Sequence, residues 1–387
     1  RVQQRVVRVH RPAVSALPPE IVLYAIGFLE RPMQVAFSFG DSAVTLWQGG
    51  QQRILDRHAG RVAAMRFFPA GDRLVTSDAA GASAVWSAWS GRVLRVLEGG
   101  HESWAGVIDL QVFPDGDRIA TLGADAMVVV WSASSGQVLR RLIFRNGSVT
   151  PSVVRVLPPD GAKLVTGLSQ FYRADPVVVW DVARGEWVHS LRQPGDPVRH
   201  MEACPCGQRL VTADAASVFL WNAAEGHLER VLSEAGGPIF ALAASSSDVF
   251  ASAGQNVVVW NAASGRVLHR LSAAGSAVVA IAPLPLSRVA VFSSTEASVW
   301  DTISGERLRG LDDSSADAAQ VVVSTDSEVL SVCMSPFRHG VSRAATWAAS
   351  TGSRVHTVDG SSRATTFPAA CSVAASAAGT KAGWRPQ

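Results

Sequence analysis

Residues 177–191 read VVVWDVARGEWVHSL: three valines, Trp180, Gly185 five positions after the Trp and Leu191 eleven positions after it. The same text stands upstream as VVVWSASSGQVLRRL (128–142) and downstream as VVVWNAASGRVLHRL (257–271). Self-similarity at a near-constant distance is the signature of a repeat architecture, in which no single unit buries its own apolar surface.

Nine tryptophans end such apolar runs: Trp47, Trp86, Trp131, Trp180, Trp221, Trp260, Trp300, Trp347 and Trp384, spaced 39, 45, 49, 41, 39, 40, 47 and 37 residues apart. Seven are followed at the fifth position by Gly, from Gly91 to Gly352, and six of these have Leu at the eleventh. A second mark precedes four of the Trps: FPAGDRLVT (68–76), FPDGDRIAT (113–121), PPDGAKLVT (158–166) and CPCGQRLVT (204–212). Pro second and Gly fourth suit a tight turn between strands, and the β-branched or alternating text after it suits a strand. Each unit therefore reads as three short strands, a Gly turn and a fourth strand. That fourth strand, RVLRVL after Gly91, carries Arg92 and Arg95, charges that suit an outermost strand with one wet face. A four-stranded sheet of this size must stack on neighbours, and radial stacking makes a β-propeller.

The units resemble WD repeats. Trp180-Asp181 and Trp300-Asp301 carry the family dipeptide, and Trp221-Asn222 and Trp260-Asn261 approach it. The resemblance implies an all-β fold, a WD-repeat β-propeller of four-stranded antiparallel blades. Nine units can be counted; eight or nine blades are expected, with seven, common in the family, kept open. It also implies a buried hydrogen-bonded set of His, Ser/Thr, Asp and Trp inside a blade. That set falls on His101, Thr121, Asp125 and Trp131, and less well on His58, Thr76, Asp78 and Trp86; the other units lack His or Asp and rest on apolar packing.

The whole of 1–387 reads as one propeller. QRVVRVH near the start resembles a fourth strand, and RATTFPAACSVAASAAGTKAGW resembles three degenerate strands ending at Trp384. Pairing of about 3–10 with about 362–384 is the expected closure. Between them, EIVLYAIGF (20–28) and MQVAFSFGDSAVTLW supply three strands ending at Trp47. The stretch ALPPEIVLYAIGFLE (16–30) also resembles the opening of an F-box, which implies an alternative role as substrate receptor of a ubiquitin ligase.

Composition narrows the function. The chain has 387 residues, 48% hydrophobic and 17% charged, with a formal charge of +3. The basic residues are scattered, whereas a nucleic-acid binder gathers them into a patch. Four cysteines in a chain this long make no disulfide framework, which suits an intracellular, cytoplasmic or nuclear setting. No apolar run reaches the ~18 residues of a membrane span. Because the sequence starts at Arg1 without Met, a preceding segment or targeting peptide stays open. Cys204-Pro-Cys206 sits where the other units have a strand-connecting turn, and no second Cys/His pair follows at zinc spacing. His189, His269 and His356 fall in fourth strands at outward positions. No catalytic constellation, metal site or cofactor site is expected, so the chain reads as a non-catalytic interaction scaffold or adaptor within a multiprotein complex.

Loop lengths place the expected partner site. The stretch from fourth strand to turn proline spans 11 residues from His58 to Pro69, but 17 from Leu97 to Pro114 and 17 from Leu142 to Pro159. The Trp180 unit has four extra residues in LSQFYRADP, between its second and third strands. In a propeller these loops open on one face. They carry Trp104, Arg145, Phe171, Tyr172 and Arg173, and loop-borne Trp, Tyr and Arg are the side chains most enriched in interface hot spots. Trp104 packing beneath its own loop is the competing expectation.

Overall fold

The computed structural model describes residues 34–38, 42–48, 51–144, 151–168, 177–194, 198–232, 235–272, 277–284, 286–293, 296–311, 318–323, 329–334, 343–348, 354–359 and 372–374. Among the described residues all regular structure is β. Thirty-two strands form eight antiparallel four-stranded sheets.

The third blade shows how the repeated text becomes a sheet. Its strands are Val107–Val112, Arg118–Gly123, Met127–Ser132 and Val138–Ile143, each hydrogen-bonded to the next. The FPDG mark makes the first turn: the Phe113 N–H donates to the Arg118 carbonyl, and Gly116 N–H to that of Phe113. Among the described residues, the Gly five positions after Trp makes the last turn in six blades, at Gly91, Gly136, Gly185, Gly226, Gly265 and Gly305. Gly136 has φ +78°, the left-handed region where a side chain is strained, and its N–H donates to the Ser132 carbonyl. The same bond runs from Gly185 to Asp181, Gly226 to Asn222, Gly265 to Asn261 and Gly305 to Asp301. The residue after Trp also caps this turn with its side chain. Asp181 Oδ1 accepts the Arg184 N–H, and Asp301 Oδ1 accepts those of Ile303 and Ser304. These bonds hold the Asp301 carboxyl below the usual carboxylate range.

Among the described residues, the blades stack because Trp side chains pack on the blade before them. Trp131 lies among Ala64, Phe68, Val75 and Val85 of the second blade, and Trp180 among Ala120, Leu122 and Val130 of the third. Trp221 and Trp260 repeat this on the fourth and fifth. A buried aromatic of this size costs roughly 3–5 kcal/mol to truncate to Ala, which makes the Trp a strong reason for the repeat.

The outer strands are stapled as well. After five of the Trps, the side chain nine residues on reaches the carbonyl three residues after the next Trp. Arg95 donates to Ser134, Arg140 to Ala183 and Arg230 to Ala263, while His189 and His269 bond Ala224 and Ile303. The polar residues of the fourth strands are therefore inter-blade contacts as well as a wet face. The His356 side chain lies outside the described residues.

The innermost strands close a ring. Val62–Phe67, Val107–Val112, Pro151–Val156, His200–Ala203, Ile239–Ala244, Val278–Leu284 and Ala318–Val323 adjoin in chain order. Ala318–Val323 then adjoins Ser372–Ala374, which lies against Val62–Phe67. Ser372–Ala374 pairs with Gln34–Ser38 and completes the first blade, with Ala43–Gln48 and Gln51–Asp56 outside. It occupies the innermost place that the sequence reading gave to 20–28. Residues 3–10, the 16–30 segment and Trp384 lie outside the described residues.

Candidate functional site

The loop joining the second blade to the third, residues 98–106, is held from beneath by a chain of buried polar side chains. The Trp131 Nε1–H donates to Thr121 Oγ1 at 2.8 Å, and that hydroxyl lies 2.8 Å from His101 Nε2. His101 Nδ1 lies 3.1 Å from both Asp125 oxygens, whose Oδ2 also accepts the Glu102 N–H at 3.0 Å. Burial pushes His101 below the ordinary histidine range, although Asp125 pulls it upward. The neutral ring then donates from Nδ1 to Asp125 and accepts the Thr121 hydroxyl proton at Nε2.

Above this clamp Trp104 is 70% exposed, so it does not pack beneath its own loop. The backbone around it is tightly fitted: a Cβ on Gly106 would lie 2.3 Å from the Ala79 carbonyl oxygen, and one on Gly81 2.6 Å from that of Ala105. These contacts set the 98–106 loop beside the turn between the second and third strands of the second blade, on one common face. Arg145, Phe171, Tyr172 and Arg173 lie outside the described residues.

The second blade carries the same chain. Thr76 Oγ1 accepts the Trp86 Nε1–H at 2.8 Å and lies 2.6 Å from His58 Nε2, while His58 Nδ1 meets Asp78 at 3.2 Å. Burial lowers the His58 pKa despite Asp78. The fourth and fifth blades keep only part of it: Trp180 donates to Thr166 and Trp221 to Thr212. In the fifth, the Thr212 hydroxyl donates to Gln193 Oε1 at 2.6 Å, so an amide replaces the histidine.

A second buried polar array crosses the innermost strands. Arg66, Asp109, Arg155 and Glu202 stand on four successive blades. Arg155 bridges Asp109 at 3.1 Å and Glu202 at 3.3 Å, whereas Arg66 lies 3.8 Å from Asp109. Burial opposes the charge on Arg155, but Glu202 and Asp109 outweigh it and raise its pKa. Arg66 has weaker support, and burial lowers its pKa. Burial likewise raises that of Glu202, against the pull of Arg155.

Comparison with known proteins agrees with this architecture. The family model for the WD domain, G-beta repeat (WD40), matches residues 91–132, the span that contains the complete His101–Thr121–Asp125–Trp131 chain. The chain folds as a WD40-type β-propeller. The crystal structure of the computationally designed Ika8 protein is similar, with a TM-score of 0.64 and 22% identity over 79% of this chain and 88% of that one. No curated protein matches the sequence. WD40 repeats in general serve as protein-interaction scaffolds and are generally non-catalytic.

The sequence reading of this WD40-type propeller named the His, Thr, Asp and Trp residues that these hydrogen bonds join in two blades. It missed Gln193, for which the signal was a polar residue just after the fourth-strand Leu191. It also missed the array on the innermost strands. There the signal was one or two charges inside otherwise apolar text: VAAMRFF, VIDLQVF, SVVRVLP and HMEACP. The CPCG stretch is the expected turn, with Gly207 N–H donating to the Cys204 carbonyl. Burial pushes the Cys204 thiol up to about 12, which leaves it protonated and inert. Among the described residues no group of three His, Cys, Asp or Glu could hold a metal ion, and no helix is long and apolar enough to cross a membrane.

Proposed function

We propose that this propeller is a non-catalytic docking platform that captures a protein or peptide partner on the face carrying the 98–106 loop. The observation that carries the reading is Trp104: a large aromatic, 70% exposed, on a backbone pinned by His101 and Asp125. An exposed indole on a rigid support loses little conformational freedom on binding, so most of its burial energy goes into affinity. Arg145, Phe171, Tyr172 and Arg173 are assigned to the same binding role from the sequence, which puts them in the loops that lengthen between strands. A partner of ordinary size would cover roughly 1,600 Å² in total across both surfaces.

The test compares affinity capture from the source cell by the parent, Trp104→Ala and Arg173→Ala, identified by mass spectrometry. The variants should unfold within about 0.5 kcal/mol of the parent, because surface changes away from packed features are near neutral. They should also lose a common set of captured proteins. Identical captures from parent and variants would remove the loop face from consideration.

A further inference from the structure

Each antiparallel blade puts its first-to-second and third-to-fourth turns at the end opposite the 98–106 loop. The third residue after Trp stands in the third-to-fourth turn. There the third to sixth blades have Ser or Ala, but the second has Trp89 and the seventh Ile303. Trp89 is 48% exposed and Ile303 75%. In the adjoining turn of the seventh blade, Leu286 is 81% exposed. It stands two positions before Arg288, where the second to fifth blades have Gly71, Gly116, Gly161 and Gly207, and it keeps their left-handed backbone at φ +58°. The two turns are locked together. The Thr302 N–H and Oγ1–H both donate to the Ser287 carbonyl, at 2.7 and 2.9 Å, and His269 Nε2 holds the Ile303 carbonyl at 2.8 Å. A leucine in this backbone carries strain that glycine would not, and its side chain in water returns nothing to the fold; such strain is retained where the surface is used.

The pattern around the ring says what covers this surface. Trp89 and Ile303 hold one register position on two blades, so they lie at one distance from the propeller axis. A two-fold axis in the plane of this face, midway between the second and seventh blades, carries each onto the other. Two copies related by it stack face to face, and each Trp89 meets the other copy's Ile303 and Leu286. That is the self-complementary contact a closed dimer needs. Charge follows the same operation, which also exchanges the third blade with the sixth and the fourth with the fifth. At the sixth residue after Trp it sets exposed Arg92 against Glu306, Gln137 against Arg266 and Glu186 against His227. At the fourth residue it sets Arg184 against Glu225. Among the described turns, no like charges face each other at these two positions. A foreign partner gives no reason for such matching within one chain.

We propose that this chain forms a two-fold dimer through the face opposite the 98–106 loop. Trp89 of each copy packs on Leu286 and Ile303 of the other, with Arg92–Glu306 and Arg184–Glu225 pairs around them. The contact is independent of the loop-face reading, because it leaves Trp104 on the outer face of each copy.

Sedimentation of the full chain from about 0.1 to 100 µM measures the equilibrium, since interfaces of standard size reach micromolar affinity or tighter. The parent should run at twice the chain mass at the upper end. Trp89→Ser should raise the dissociation constant by at least about thirtyfold, as losing a hot-spot aromatic does. Leu286→Gly should weaken the dimer too, yet raise the unfolding temperature of the dilute chain by relieving the left-handed strain; the opposite signs exclude a folding defect. Arg92→Glu and Glu306→Arg should each weaken the dimer about tenfold, and the double variant should return to within about threefold of the parent. A parent that sediments as a single chain throughout, a dimer indifferent to Trp89→Ser, or a double variant no tighter than the single ones would each overturn the proposal. So would a dimer dissociated by Trp104→Ala, which would put the contact on the loop face.

Discussion

Replacing Thr121 by Val tests the polar chain of the third blade with almost no change in volume. The Thr121 hydroxyl accepts the Trp131 Nε1–H and donates to His101 Nε2, each at 2.8 Å, and Thr121 and Trp131 are buried. Valine fills the space but leaves an indole N–H and an imidazole nitrogen without partners. A buried polar group orphaned in this way costs about 1–3 kcal/mol, so two in one network should cost about 2–4 kcal/mol after the small gain from the added methyl. Thr121→Ser is the control. It keeps the hydroxyl and removes one methyl, which should cost about 0.5–1.5 kcal/mol, the range for deleting a buried methyl. Urea unfolding at pH 7.5, followed by tryptophan fluorescence, measures both. If Val costs no more than Ser, the hydroxyl does not carry the chain, and the blade stands on apolar packing alone.

Two further outcomes follow from the same structure. Burial holds the pKa of His58, His101 and His200 below the ordinary histidine range, so the unfolded chain takes up protons at these positions first. Their contribution is intact above about pH 6.5 and is lost as pH falls through it, by up to about 1.4 kcal/mol per histidine per pH unit; a thermal unfolding series from pH 7.5 to 5.5 should show this, and His101→Gln should flatten it. Gly207 and Gly99 have nearly equal φ values, +71° and +73°, but a Cβ on Gly207 would meet the Pro158 carbonyl oxygen at 1.6 Å while Gly99 has nothing within 4 Å. Gly207→Ala should therefore lose about 3–5 kcal/mol in urea unfolding against about 1 kcal/mol for Gly99→Ala, and equal losses would mean that backbone conformation alone sets the cost.

The amino-acid sequence determined the repeat and its local chemistry. Each Trp, the Gly five positions later and the turn proline act within one hairpin or one seam, so a fixed spacing expresses them. The same holds for His101, Thr121, Asp125 and Trp131, whose spacing is confined to one blade and its entering loop. Distances between blades are decided elsewhere. Whether Arg66, Asp109, Arg155 and Glu202 meet depends on how four innermost strands lie around the axis, and residues about 45 positions apart carry no local signal of contact. Blade number is of the same kind: nine units can be counted along the chain, yet the ring is complete at eight sheets when Ser372–Ala374 lies beside Gln34–Ser38. Strand pairing between distant segments depends on the curvature summed over every seam, and only the assembled ring fixes that sum.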